Sequence, residues 1–193
     1  MALLSGGVRH GLPGRAYGDG MSYRSTAVRA THLVTNAAWF GGSLMGAVGL
    51  NPASREASNL RERAEVSGTG WERWGPVQGV AVGLHLLSGL AITADNRNRV
   101  ATHPPTTLTT VAKATVTTAA VASTVAAYVI GNRLGKASGE DGHPQDPEAA
   151  ERARGTMRWL QWVTPALTGA MLVLDAELGE QQRGEAGLLD RPW

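Results

Sequence analysis

Cysteine is absent from the chain, which removes disulfides, thiolate metal sites and cysteine nucleophiles at once. Lysine is nearly absent too: of 18 basic residues, 16 are arginine, a bias that fits a GC-rich genome better than a chemical requirement. An excess of one charge is also missing. The 18 basic residues face 16 acidic ones, so no nucleic-acid-binding footprint exists despite a pI near 9.4. No GxSxG, P-loop, HExxH or dinucleotide fingerprint occurs, so the sequence offers no recognisable catalytic centre and leans away from a self-sufficient enzyme. At 193 residues it fits one domain with room for a substantial core.

Charge is missing in a second, more telling way. Four windows carry no Asp, Glu, Lys or Arg: Ala30 to Leu50, Trp74 to Ala94, Ala114 to Asn132 and the shorter Trp159 to Leu174. Charges bracket each one. A helix needs about 20 residues to cross the hydrocarbon of a bilayer, and a soluble helix ordinarily shows charge on one face every turn or so. The windows therefore predict an all-α, four-helix transmembrane bundle running up-down-up-down, with spans near 29–50, 74–95, 107–133 and 157–177. A membrane domain over 27–180 would follow a flexible leader at 1–26 and precede a tail at 181–193. The mean hydropathy of −0.14 is the argument against it and favours the alternative, a soluble α-helical bundle.

Small residues recur at helical spacing within the windows: Gly42 and Gly46; Gly75, Gly79 and Gly83; Ala119, Ser123, Ala127 and Gly131. Such stripes let transmembrane helices approach closely, so they predict tight contacts, above all between the first two spans, with Val82 facing lipid. Trp71, Trp74, Trp159 and Trp162 open the second and fourth spans and Tyr128 ends the third, all at one face, where aromatic rings favour the bilayer interface. Lys and Arg divide equally between the two faces, so the positive-inside rule yields no orientation.

Outside the windows, residues 1–20 contain no apolar run long enough for a signal peptide, and Met21 is an alternative start. The first loop, "NPASREASNLRERAEVSGTG", suits a short surface helix; the third, "GKASGEDGHPQDPEAAERARG", suits a mobile connection before a short helical lead-in. No internal repeat stands out.

Chemistry has two candidate places. His32 and His85 are the histidines within the windows, a pair that raises haem or copper ligation. Counting residues from the window ends puts them about 10 Å apart in depth, which favours polar packing histidines over a shared haem. The second place is a polar cluster: Arg29, His32 and Asn36 in the first span, Asp95 ending the second, Lys113 opening the third, and Asp175 and Glu177 ending the fourth. Alternating topology brings them to one membrane face, with Lys113 expected to approach Asp175 or Asp95. Headgroup-level anchors are the plain interpretation; a proton-linked or anionic-ligand site is the sharper one. The loop histidines in "THPP" and "GHP" lack a metal partner at ligand spacing, and no metal or cofactor is expected. Arg97 and Arg99 suit lipid phosphate or a topological anchor.

The segments "RATHLVTNAAWFGGSLMGAVGLN", "WERWGPVQG", "GLHLLSGL", "NRNRVA", "TVAKATVTTAA" and "LQWVTPALTGAMLVLDAELGEQQR" resemble a group of small actinobacterial four-helix membrane proteins, from about residue 27 to 183. That resemblance implies a multi-pass protein of the cell membrane and no assigned activity. "WFGG" and the first-span histidine are also faintly similar to copper-resistance-type families, a pattern too short to carry copper binding over. The expectation is a membrane scaffold, partner subunit or small transport component in the lipid bilayer, with a homo-oligomer or a membrane protein as partner. The alternative is a redox or metal-handling protein using His32 and His85.

Overall fold

The computed structural model describes residues 16–136 and 144–189, with side chains from 25 to 136 and from 144 to 181. The chain is almost entirely helical, and no strand occurs among the described residues. Helix α1 (Ala16–Met45) passes through a π turn (Gly46–Leu50) into the short α2 (Asn51–Arg55). Pro52 has no N–H to give to the carbonyl one turn back, and the helix widens to π spacing just before it. After four residues come α3 (Leu60–Asp95), α4 (Arg97–Thr102), α5 (Pro104–Lys136) and α6 (Pro147–Leu189).

The helices outrun the windows. The leader expected at 1–26 is helical from Ala16, residues 1–15 lying outside the described residues. The surface helix expected in the first loop is the first part of α3. Asn59 accepts from the Glu62 N–H at 2.9 Å and the Glu62 carboxylate accepts from Ser58 N–H at 3.1 Å, a reciprocal cap that starts α3 fourteen residues before Trp74. Pro104 and Pro105 occupy the first turn of α5, where a missing N–H costs nothing. In α6, Asp146 caps Ala149 N–H at 2.9 Å ahead of Pro147. Residues 137–143 of the third loop lie outside the described residues, and its expected helical lead-in is the start of α6 from Pro147. The tail expected at 181–193 is helical to Leu189.

Three stretches are long and apolar enough to cross a membrane: Ser25–Arg55, Leu60–Asp95 and Pro104–Lys136. In α6 the charge-free stretch stops at Asp175, and this helix does not join them. Residues rising along α1 meet residues falling along α3, as His32 meets His85, Gly42 meets Trp74 and Gly46 meets Trp71. The same reversal holds between α5 and α6, where Ser123 bonds Thr164 at 2.9 Å and Gln181 donates to Thr109 at 3.1 Å. Phe40 of α1 lies over Gly169 of α6, and Asn51 at the start of α2 donates to Gln161 of α6 at 3.1 Å.

Within the long apolar stretches the inward face is largely polar and the outward face apolar. Buried side chains include His32, Thr35, Asn36, Ser43, His85, Ser88, Ser123, Thr164 and Thr168, while the apolar centre is small: Trp39, Ala120 and Met171, edged by Val82, Val116, Val121 and Leu167. Leu84, Leu87, Leu90, Leu108, Val111, Val125 and Val173 point outward. Water would penalise that outward surface; hydrocarbon accommodates it.

Small residues form close contacts between the first two spans at Gly42 and Gly46, as the stripes predict, but not at the glycines of the second span. A Cβ on Gly42 would lie 2.1 Å from the Trp74 ring, and one on Gly46 2.3 Å from Trp71. Gly75, Gly79, Gly83 and Gly131 meet nothing within 4 Å. The correction is one of roles: α3 supplies two indoles and α1 supplies the two notches that take them. On α5 the buried small residues are Ala120 and Ser123; Ala119 is exposed and Ala127 half-buried. Val82 packs against the Trp39 centre instead of facing lipid. Gly42→Leu should therefore cost about 1–3 kcal/mol by overpacking, whereas Gly79→Leu should stay within about 0.5 kcal/mol. Melting in detergent decides this, and equal midpoints for the two variants would remove the notch.

Candidate functional site: a buried histidine, lysine and aspartate cluster

One ionisable or imidazole side chain from each long helix converges inside the protein. His32 comes from α1, His85 from α3, Lys113 from α5 and Asp175 from α6. The two imidazoles stack with ring centres 3.9 Å apart and planes 16° from parallel. Their hydrogen bonds are reciprocal. His32 Nδ1 lies 3.0 Å from the His85 carbonyl and 3.0 Å from Ser88 Oγ, and His85 Nδ1 lies 3.2 Å from the His32 carbonyl. A carbonyl only accepts, so both Nδ1 atoms carry hydrogen. Ser88 spends its own hydroxyl hydrogen on the carbonyls of Leu84 and His85, leaving its oxygen free to accept. Gly89 makes room: a Cβ there would stand 3.0 Å from His32 Cε1.

The tautomer fixes the next contact. With hydrogen on Nδ1, His32 Nε2 presents a lone pair, and the Lys113 ammonium lies 2.5 Å from it. The same ammonium donates to Asp175 Oδ1, which stands 3.6 Å from His32 Nε2. The Lys113 and Asp175 side chains are only 12% and 10% exposed, so this pair is withdrawn from solvent, unlike the surface pairs Arg61–Glu65 and Arg152–Glu148. Neutral His32 accepting from a lysine–aspartate pair leaves the cluster with no net charge, the arrangement that makes ionisable groups tolerable at membrane depth.

Asn36, one turn beyond His32, is fully buried, and neither amide atom has a hydrogen-bond partner among the described residues. Asp175 Oδ2 is likewise unpartnered. The other members of the expected cluster lie outside it. Asp95 is exposed at the end of α3; Glu177 is exposed and accepts from Gln181 at 3.0 Å; Arg29 is half-buried one turn before His32. A polar ladder of Gln181, Thr106 and Thr109 lies toward that same end, with Arg99 donating to the Gln181 carbonyl at 2.5 Å.

One expectation about the histidines requires correction, and the alternative they raised meets a geometric obstacle. The 10 Å difference in depth does not exist, because the Trp–Gly notches set an α1–α3 register in which the rings face each other. A haem held between the two rings is excluded by the same stacking: 3.9 Å leaves no space for a porphyrin, and Lys113 occupies the His32 Nε2 lone pair. Among the described residues no group of three or more His, Cys, Asp or Glu could hold a metal ion.

Residue counting missed Trp39, Ser88, Gly89, Thr124 and Thr164. One available signal was a local repeat: "HLVTN" from His32 and "HLLSG" from His85 share a His-Leu-x-Thr/Ser pattern. Thr35 and Ser88 then play matching parts, each returning its hydroxyl to carbonyls three and four residues back. Compared with known protein families, curated proteins and solved structures, the chain has no match.

Proposed function

We propose that this is a multi-pass integral membrane protein in which α1, α3, α5 and α6 all span the bilayer up-down-up-down, and that it works as a small, proton-linked transport component. Inverted polarity supports the membrane half of this reading: leucine and valine outside, histidine, asparagine and threonine inside. For α6, Trp159 is 78% exposed and Trp162 49%, suiting the interface at one end, and Asp175 is neutralised by Lys113 rather than left bare in lipid.

The observation that carries the functional half is that Lys113, Asp175 and His32 meet inside the protein at the level of His85. Eleven residues separate Trp74 from His85, about 16 Å of helix, or roughly half of a 30 Å hydrocarbon core. The headgroup-anchor interpretation places such charges at the ends, and these sit about ten residues inside Asp95. A lysine, an imidazole lone pair and a carboxylate within 4 Å can shift a proton among themselves at constant net charge, and a proton taken up from outside raises the cluster from neutral to +1 until it is passed on.

The protein should pellet with membranes and need detergent for release. Reconstituted into vesicles carrying a pH-sensitive dye, it should take up protons under an imposed potential, with Asp175→Asn lowering the rate at least tenfold. Recovery in the high-speed supernatant, or equal uptake by Asp175→Asn, would reject the proposal.

A further inference from the structure

We propose that the inner face of α1 binds a chain of water molecules reaching from Asp175 past Asn36 to Ser43. This deepens the proton-linked reading, on which it rests, by supplying the site with a route toward the Trp71 end of the protein.

Four buried polar groups have no hydrogen-bond partner among the described residues: the Asn36 amide, Ser43 Oγ, Trp74 Nε1 and Asp175 Oδ2. They are not scattered. His32, Asn36, Trp39, Ser43 and Ala47 follow one another at three- or four-residue steps and share the buried stripe of α1. His32 meets Asp175 on α6 and Phe40 meets Gly169, so Asn36 lies between those two levels of the α1–α6 interface, within a turn of Asp175. Trp74 covers Gly42, beside Ser43. Asn36 and Ser43 are seven residues apart, about 10 Å along the helix, a span that three or four waters bridge.

Chemistry selects the ligand. A buried amide left unmade is costly, and more so with hydrocarbon outside. A cation would satisfy the oxygens of Asn36 and Asp175 but not Asn36 Nδ2 or Trp74 Nε1. An anion would satisfy the N–H groups and clash with Asp175. Water both donates and accepts, and it serves all four.

Such a chain delivers protons one hop at a time. The water beside Asp175 gives a hydrogen to Oδ2 and takes one from its neighbour, so each molecule ends neutral. Protonated Asp175 then keeps Oδ1 as an acceptor for Lys113 but loses the charge that held the ammonium. The charged and titratable groups around Asp175 are Lys113 from α5 and His32 from α1, with His85 of α3 stacked behind His32. Arg29 lies one turn further along α1, and Glu177 follows on α6 itself.

Infrared spectra of the full-length protein in vesicles, taken in ordinary and oxygen-18 water, test this. The wild type should show an isotope-shifted band of strongly hydrogen-bonded internal water that Asn36→Leu removes and Ser43→Ala weakens. Asn36→Leu should melt close to wild type, since no protein group loses a partner and the waters held by the amide leave with it, and its proton uptake should fall about tenfold. A wild type without the band, or a band unchanged in both variants, overturns the water chain. Wild-type uptake by Asn36→Leu combined with loss in Asp175→Asn removes the route and keeps the proton-linked site. The band without any wild-type uptake keeps the water and sinks the transport reading.

Discussion

Lys113→Met should be among the most destabilising single changes in the protein, by about 3–5 kcal/mol, because it strands the Asp175 carboxylate without its partner in a site only 10% exposed. Asp175→Leu should cost a similar amount by stranding the ammonium, although His32 Nε2 still accepts from it. The double variant, Lys113→Met with Asp175→Leu, should recover most of the loss, since a buried ion pair replaced by apolar groups of similar volume is often neutral or better. The recovery is the diagnostic quantity. Unfolding of all four proteins in one detergent gives a coupling free energy, and a double variant as weak as the sum of the singles would mean the two residues do not act as a pair. A charge swap, Lys113→Asp with Asp175→Lys, should outperform Lys113→Asp alone. Stability restored without proton uptake in the apolar double variant would further separate holding the helices together from handling protons.

The charge-free windows made the three membrane-length helices legible, because a missing charge is visible without knowing what a residue touches. Their ends were not. Leu60 to Arg73 is as charged as a loop, yet Asn59 and Glu62 cap it and it continues α3 unbroken. Chain alternation placed Lys113 at one face with Asp175 and Asp95, whereas the choice of Asp175 and the burial of the pair depended on how the helices slide. That slide is set by Trp71 and Trp74 entering Gly46 and Gly42, a complementarity between a large residue on one helix and a small one on another. A glycine at helical spacing announces a smooth face without naming its occupant. Gly79 and Gly42 look alike in sequence, and only one has a ring against it. Stacking of His32 on His85 is a consequence of that register, and the shared His-Leu-x-Thr/Ser pattern gains meaning only once the two helices are antiparallel.

Trp39 joins the stability of the structure to the proposed route, and Trp39→Ala should disturb both. The indole is fully buried, donates to Thr124 Oγ1 at 3.1 Å, packs with Ala120 and Met171, and presents its edge toward His85 at a centre separation of 6.1 Å. It thus ties α1 to α3, α5 and α6 at one level. In water, removing such a ring costs about 3–5 kcal/mol, from lost transfer and from the cavity together. Lipid tails are as apolar as the interior, so the transfer part shrinks and the cavity part remains; about 3 kcal/mol is the expected loss. Trp39→Phe keeps most of the ring, and Thr124 retains its bond to the Ala120 carbonyl, so this change should cost far less. Position makes the second effect. Trp39 stands on the buried stripe of α1 between Asn36 and Ser43, where it narrows whatever links them. An alanine leaves space beside polar groups that can hold water. Proton uptake by Trp39→Ala vesicles should therefore rise several-fold above wild type even though the protein melts earlier. A slower variant would show that Trp39 merely supports the fold, and that the narrow point lies elsewhere along α1.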